Sequence, residues 1–120
     1  MVANHLGCRH DFTQKTPDGG QTWGRHRIMP HESVLQVEDV ISTAKTLEQV
    51  LGAINQKNPS PRLEPFILAL INRSRFSEWD SRRILCLAKV EAKTWLPDQC
   101  PLCKKDSTKI LDPKSWNNQP

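Results

Sequence analysis

Two carboxylates and three hydroxyl side chains lie close together between Glu38 and Thr46, and together they could bind a sugar phosphate. Glu38 and Asp39 can accept hydrogen bonds from neighbouring sugar hydroxyls or hold a metal ion through water. Ser42, Thr43 and Thr46 can add donors to the unpaired N–H groups and positive dipole end of a helix start, which favour a phosphate. Ribose 5-phosphate would satisfy both ends of this stretch. The simpler alternative is a pair of solvated carboxylates followed by a helix cap.

A second group that could do chemistry is Cys100 and Cys103, which have the C-x-x-C spacing of half a zinc site. Zinc usually takes four protein ligands in such sites, so Cys8 with His5 or His10 would have to complete it. The other interpretation is a reduced structural pair, because the first residues lack the apolar segment of a signal peptide.

The elements that must position the carboxylates and hydroxyls form one βαβ pattern. Val34–Val37 is a short apolar run that predicts a strand buried on both faces of a parallel sheet and ending at the acidic pair. A helical stripe follows, which Ser42 or Thr43 caps and Asn58–Pro61 stops; its apolar members are Leu47, Val50, Leu51 and Ile54. Phe66–Ile71 is the second strand, reached by a right-handed crossover.

The flanking segments complete an α/β fold. Pro17–Gly20 is a turn signal that predicts a hairpin or mobile loop. Ile84–Ala88, with Cys86 as a core residue, predicts a third strand after a polar loop over Asn72–Arg83. We therefore expect one domain with a hairpin over 1–30, a phosphate-binding core over 34–92 and an irregular tail over 93–120.

Composition narrows the possible partners. The 120 residues suffice for one domain, and no apolar run approaches the ~20 residues that a membrane helix needs. The net charge is +4, but the basic residues are scattered and there is no Tyr, so nucleic-acid binding is not expected. A small phosphorylated ligand and a cytoplasmic location are the expectation.

The sequence resembles a known family in several segments. Val34–Thr46 resembles the phosphoribosyl-pyrophosphate motif of type I phosphoribosyltransferases, which have a Rossmann-like fold. Ile71–Ser74 resembles the orotate-contacting segment of the orotate phosphoribosyltransferases, and Lys89–Lys104 resembles the tail of their shorter members. Phe12–Lys15 and Thr22–Arg27 are similar to their mobile catalytic hairpin. The resemblance covers about residues 4–116 and corresponds to the C-terminal half of the family.

The resemblance implies a reaction in pyrimidine nucleotide biosynthesis. Phosphoribosyl pyrophosphate and orotate would give orotidine 5′-phosphate and pyrophosphate with the help of Mg²⁺. Lys15 and Arg25 would be catalytic, neutralising pyrophosphate, and Ser42 and Arg73 would contact orotate. The residues implied to bind phosphoribosyl pyrophosphate are Glu38, Asp39, Val40, Ile41, Ser42, Thr43, Ala44, Lys45 and Thr46.

Two departures from the family pattern leave alternatives open. Ala44 and Lys45 stand where the family loop carries two glycines, and glycine is what lets backbone approach a phosphate closely. The N-terminal half of the family pattern has no counterpart in these 120 residues, so a homodimer or a partner chain supplying that half is expected. A non-catalytic remnant that binds a sugar phosphate or serves as an interaction module is the alternative. A zinc-stapled nucleic-acid binder is a weaker one.

Overall fold

The structure is a computed structural model that describes residues 2–24, 26–93, 95–96, 98–101 and 104. In that part of the chain it contains two helices and six strands. In chain order they are α1 (Val2–Leu6), β1 (Gln14–Lys15), β2 (Gln21–Thr22), β3 (Ser33–Ile41), α2 (Lys45–Lys57), β4 (Arg62–Asn72), β5 (Glu78–Trp79) and β6 (Arg82–Lys89).

The main sheet has four strands in the order β3-β4-β6-β5. β3 pairs parallel with β4, and β4 pairs parallel with β6, while the two-residue β5 runs antiparallel to β6. The predicted α/β class and the βαβ unit β3-α2-β4 are confirmed. The short strand β5 lies inside the segment expected to be a polar loop, so the sheet is mixed although mostly parallel.

Strand β3 is longer than expected and contains the acidic pair. It runs from Ser33 to Ile41 rather than ending before Glu38, because Val40 and Ile41 continue the pairing with Ile71 and Asn72 of β4. The register shifts near the start of β4, between Leu63 and Ile67, where Pro65 cannot donate to a ladder.

Helix α2 begins differently from the prediction and ends as predicted. Its N-cap is Ala44 in the left-handed region (φ 58°), with no side-chain capping bond. The expected cap by Ser42 or Thr43 is therefore wrong, because the left-handed turn at Ala44 places the helix start after both hydroxyls. At the other end, the Asn58 backbone N–H and side-chain amide both donate to the Ile54 carbonyl (2.9 and 3.2 Å).

The core lies on one face of the sheet only. Leu47 of α2 packs with buried apolar residues of the strands, namely Ile41, Ile67, Ala69 and Ile84, and Cys86 packs against this cluster as expected. On the opposite face Leu70, Leu85 and Leu87 are exposed. The prediction that the strands are buried on both faces is therefore wrong, since in the described part of the chain only α2 lies against the sheet as a long helix.

The N-terminal segment forms the expected hairpin in a shorter version. β1 and β2 pair antiparallel across a turn in which Gly19 has φ 82°, and the sequence analysis did not anticipate α1. No helix among the described residues is long and apolar enough to cross a membrane.

Candidate functional site

The loop after β3 presents hydroxyl groups at the carboxyl end of the parallel strands. Ser42, Thr43 and Thr46 are exposed, and Lys45, the first residue of α2, is exposed beside them. Ligands of open α/β sheets bind at this end of the strands. Because Lys45 and Thr46 lie in the first turn of a 13-residue helix, the free N–H groups of α2 reach the same loop.

The loop has little room in this conformation. Its depression has a volume of about 20 Å³ and is lined by one continuous run and a carboxylate, namely Val40–Leu47 and Glu38. That volume holds roughly one water molecule, so the depression is not a preformed phosphate cavity. Ala44 adopts a left-handed conformation, in which a Cβ costs ~1–2 kcal/mol.

The two acidic residues differ in their surroundings. They are consecutive in β3, so their side chains leave the sheet on opposite faces. Glu38 pairs with Ala69 and borders the loop depression. Burial raises the pKa of Glu38, an effect that a hydrogen bond with Gln36 opposes and the charge of Asp39 reinforces. Asp39 does not line the depression, and its carboxylate accepts from the Val40 N–H (2.7 Å).

A buried polar network behind Glu38 was not anticipated from the sequence. Gln36 is buried, donates to the Leu47 carbonyl (3.3 Å) and accepts from the buried Arg82 guanidinium (3.3 and 3.4 Å). Arg82 also lies over the Trp79 ring (5.2 Å to the centroid) and 3.7 Å from the Asp80 carboxylate. Burial lowers the pKa of Arg82, while Asp80 raises it. The one sequence signal was a glutamine inside the apolar run Val34–Val37.

The segment after β4 lies beside the loop that follows β3. The backbone N–H of Arg73 donates to the Ile41 carbonyl (2.7 Å), and the Arg73 side chain is exposed. The Asn72 side chain secures the turn that follows. Its Oδ1 accepts from the N–H and hydroxyl of Ser74 (2.9 and 2.6 Å), and its Nδ2 donates to the Phe76 carbonyl (3.0 Å). The fold therefore brings Arg73 to the same end of the sheet as Ser42.

Lys15 and Arg25 are the two residues that the family resemblance implies to be catalytic, and the structure describes only Lys15. Lys15 is exposed in β1 and does not line the loop depression. Its hairpin contacts the second turn of α2, where the Gln49 side chain donates to the Gly19 carbonyl (3.1 Å). Arg25 lies outside the described residues, so its role stays a prediction.

The zinc hypothesis is also left as a prediction. Cys100 is half-buried, and Cys103 lies outside the described residues. Among the described residues, no group of three or more His, Cys, Asp or Glu could hold a metal ion.

A larger cavity, which shares no lining residue with the depression after β3, was not predicted from the sequence. It measures about 360 Å³ and lies between the segment after β2 and the end of α2. Its lining residues are mostly basic or polar, namely Trp23, Gly24, His26, Arg27, Lys57 and Asn58. Trp23 donates its indole N–H to the His26 carbonyl (2.6 Å), so the ring is part of the cavity wall.

Curated proteins similar to this chain share one name. The orotate phosphoribosyltransferase of Acidithiobacillus ferrooxidans is 31% identical over 108 residues, 88% of this chain and 53% of that protein. The enzyme of the same name from Desulforamulus reducens is 30% identical over 102 residues, 85% of this chain and 52% of that protein. The one from Heliobacterium modesticaldum is 27% identical over 110 residues, 91% and 56% respectively.

No family model and no solved structure matches this chain. The chain spans about half the length of the curated relatives it matches. Its phosphate-loop motif and these relatives nevertheless point to the same family. The resemblance inferred from the sequence is thereby confirmed: over most of its length, this chain is similar to about half of an orotate phosphoribosyltransferase.

Proposed function

We propose that this chain provides the half of an orotate phosphoribosyltransferase that binds the sugar phosphate. The reaction joins orotate to phosphoribosyl pyrophosphate and gives orotidine 5′-phosphate and pyrophosphate, in the cytoplasm. The observation that carries the proposal is the exposed hydroxyl loop Ser42–Thr46 at the start of α2, bordered by Glu38, in a chain similar to enzymes of that name.

The protein's part in such a reaction is positioning and electrostatics. Pyrophosphate leaves from the anomeric carbon of ribose, and positive charge builds on the sugar, so no covalent nucleophile is needed. Ser42, Thr43 and Thr46 would donate to the 5′-phosphate together with the first N–H groups of α2. Glu38 and Asp39 would accept from the ribose hydroxyls.

Basic residues would bind the second substrate, orotate, and the leaving group, pyrophosphate. Arg73, whose backbone is joined to Ile41, would orient orotate together with the Ser42 hydroxyl. Lys15 and Arg25 would neutralise pyrophosphate. The hairpin that carries Lys15 is joined to α2 by the hydrogen bond from Gln49 to the Gly19 carbonyl.

Mg²⁺ would arrive with the pyrophosphate groups of the substrate, which is how this ion commonly binds. Glu38 suits it, because its carboxylate is a hard oxygen donor that borders the loop depression. When bound, the ion would offset the charge of the leaving group.

A second candidate function is a remnant that binds a sugar phosphate without catalysis. The narrow loop favours it, because a depression of about 20 Å³ with Ala44 in a left-handed conformation is a poor preformed phosphate site.

Binding and turnover measured separately distinguish the two functions. We expect phosphoribosyl pyrophosphate with Mg²⁺ to raise the melting temperature, because a ligand that binds only the native state stabilises it. Thr43→Ala and Asp39→Asn should reduce that shift, whereas Ser77→Ala, an exposed serine outside the loop, should not. A transition that millimolar ligand leaves unmoved would contradict both candidates.

Turnover is followed as loss of orotate absorbance with the chain alone and with the complementary half of a relative. We expect very slow or no turnover alone, because the chain spans about half the length of the relatives it matches and a site for this reaction must exclude water around two substrates. Activity restored by the complementary half supports the enzyme. Binding that never leads to turnover supports the remnant.

A further inference from the structure

The cavity at the last residues of α2 gathers cations that have no acidic partner. It measures about 360 Å³, and its basic lining residues are His26, Arg27 and Lys57. No Asp or Glu is among its described lining residues. The two ion pairs found in the described part of the chain involve other cations, Arg9 and Arg82. Positive charge is therefore concentrated here without a protein group to offset it, and this favours an anionic ligand.

Hydrogen bonds hold the walls of this cavity in place. The indole N–H of Trp23 donates to the His26 carbonyl (2.6 Å). The buried Asn58 side chain accepts from the Ile28 N–H (3.0 Å) and donates to the Ile54 carbonyl (3.2 Å), which joins the segment after β2 to the end of α2. Because these polar atoms of Trp23 and Asn58 already have partners, the groups left for a ligand are the cations and the indole ring.

The cavity is separate from the loop after β3. The two share no lining residue. Lys45 and Lys57 are the first and last residues of the 13-residue helix α2. The two ends of the helix therefore lie roughly 18 Å apart, at about 1.5 Å of rise per residue. Since the sugar phosphate of the proposed function would bind at the first residues of α2, a ligand in this cavity would occupy a second site.

The size and lining of the cavity indicate the class of ligand. About 360 Å³ lies within the range of small-molecule sites, ~300–1,000 Å³, and is more than one inorganic phosphate would fill. A planar ring can stack on Trp23, while Arg27 and Lys57 can bind phosphate oxygens. We propose that this cavity binds a nucleotide, with its base against Trp23 and its phosphate between Arg27 and Lys57.

The two phosphate-binding cations should contribute unequally. Lys57 lies in the last turn of α2, where its charge also offsets the negative end of the helix dipole. Arg27 lies outside the helices and strands, and its guanidinium can donate to two phosphate oxygens at once. We therefore expect nucleotide binding to depend most on Arg27.

The test titrates the full chain with adenosine 5′-monophosphate and follows the backbone amide and indole N–H signals by NMR. We expect the signals of Trp23, Arg27 and Lys57 to shift and to saturate at millimolar nucleotide. Adenosine alone and inorganic phosphate alone should each bind at least roughly tenfold more weakly, because each supplies only part of the contacts.

Variants assign the binding to this cavity. Arg27→Gln and Trp23→Leu should each weaken binding by roughly tenfold or more, whereas Trp23→Phe, which keeps a ring, should retain most of the affinity. The matched controls are Arg83→Gln, at an exposed arginine of β6, and Trp95→Leu, at a tryptophan that is 43% exposed; neither residue lines the cavity. Thr43→Ala, in the hydroxyl loop, should leave this binding unchanged. Circular dichroism establishes that each variant is folded.

Four outcomes would overturn the proposal. In the first, adenosine 5′-monophosphate shifts none of the three signals. In the second, inorganic phosphate binds as tightly as the nucleotide, so the ring is not recognised. In the third, Thr43→Ala abolishes binding and Arg27→Gln does not, which assigns the nucleotide to the loop after β3. In the fourth, a single-stranded oligonucleotide binds through Trp23 and Arg27 more tightly than the mononucleotide, which assigns the surface to nucleic acid.

Discussion

The two faces of the sheet in this protein share the same three parallel strands and differ in what lies on them. Beneath α2, Ile67 is fully buried, and even two polar residues, Gln36 and Arg82, are accommodated there by bonding to each other. On the opposite face of the same strands, which we call the open face, Leu70, Leu85 and Leu87 are exposed to solvent. A side chain's hydrophobicity therefore decides less about its burial here than the presence of a covering element. The same α2 both covers the buried face and begins at the hydroxyl loop Ser42–Thr46.

The largest expected effect separates the two faces directly. Ile67→Ala should destabilise the chain by ~2–5 kcal/mol, because it leaves a cavity in the core beneath α2. Leu70→Ala, three residues later in β4 on the open face, should cost less than ~1 kcal/mol, since its side chain is already more than half in solvent. Urea denaturation of both variants measures the difference. Equal losses would mean that the open face is covered in solution.

The hydrogen bonds between Gln36 and Arg82 provide a second test of what stabilises the buried face of the sheet. Gln36→Leu should destabilise by ~1–3 kcal/mol although it adds an apolar side chain to a buried position, because the Arg82 guanidinium loses its acceptor. Gln56→Leu, at an exposed position of α2, is the control and should change stability little. Carboxyl carbon NMR of Glu38 gives a second readout. The pKa of Glu38 should rise further in Gln36→Leu, since the opposing hydrogen bond is removed. An unchanged pKa in a folded variant would show that Gln36 does not act on Glu38.

The left-handed conformation of Ala44 predicts a stabilising substitution. Ala44→Gly should raise the free energy of unfolding by up to ~1 kcal/mol, because glycine adopts the left-handed conformation without strain. The gain is limited because glycine loses more conformational entropy on folding. Ala53→Gly, within the same helix at ordinary helical geometry, should instead lower stability by at least ~1 kcal/mol. Thermal melts distinguish the two. If Ala44→Gly destabilises, the left-handed start of α2 is incorrect.

The smallest expected effect is a pH dependence centred on Glu38. Burial raises its pKa in the folded state above the ordinary value of 4.5, so the folded chain binds the proton more tightly than the unfolded chain. This contribution to stability is complete below pH 4.5 and is lost as the pH rises through the folded pKa. Glu38→Gln should remove that decline from the stability measured between pH 4 and pH 7. A stability profile that Glu38→Gln leaves identical to that of the unaltered chain would contradict the raised pKa.

Local sequence patterns predicted the main strands and the long helix but did not predict where each of them ends. The apolar runs and the helical stripe identified β3, α2, β4 and β6, since period and turn residues are properties of neighbouring positions. The acidic pair predicted that β3 ends before Glu38, because charged residues are uncommon inside a buried strand. The strand continues past them, since Val40 pairs with Ile71 of β4. The short β5 was missed for a related reason, because its two residues gain their structure only from pairing with β6.

The sequence by itself determined the βαβ order, the position of the hydroxyl loop after the first parallel strand and the family that this motif resembles. These depend on residue types at fixed spacing along one stretch of chain. Only the tertiary structure decided that Glu38 borders the loop while Asp39 does not, that Arg82 lies behind Gln36, and that one face of the sheet is left open. Each of these depends on which strand or helix lies against a residue from far away in the sequence, and burial and hydrogen bonding follow from that contact.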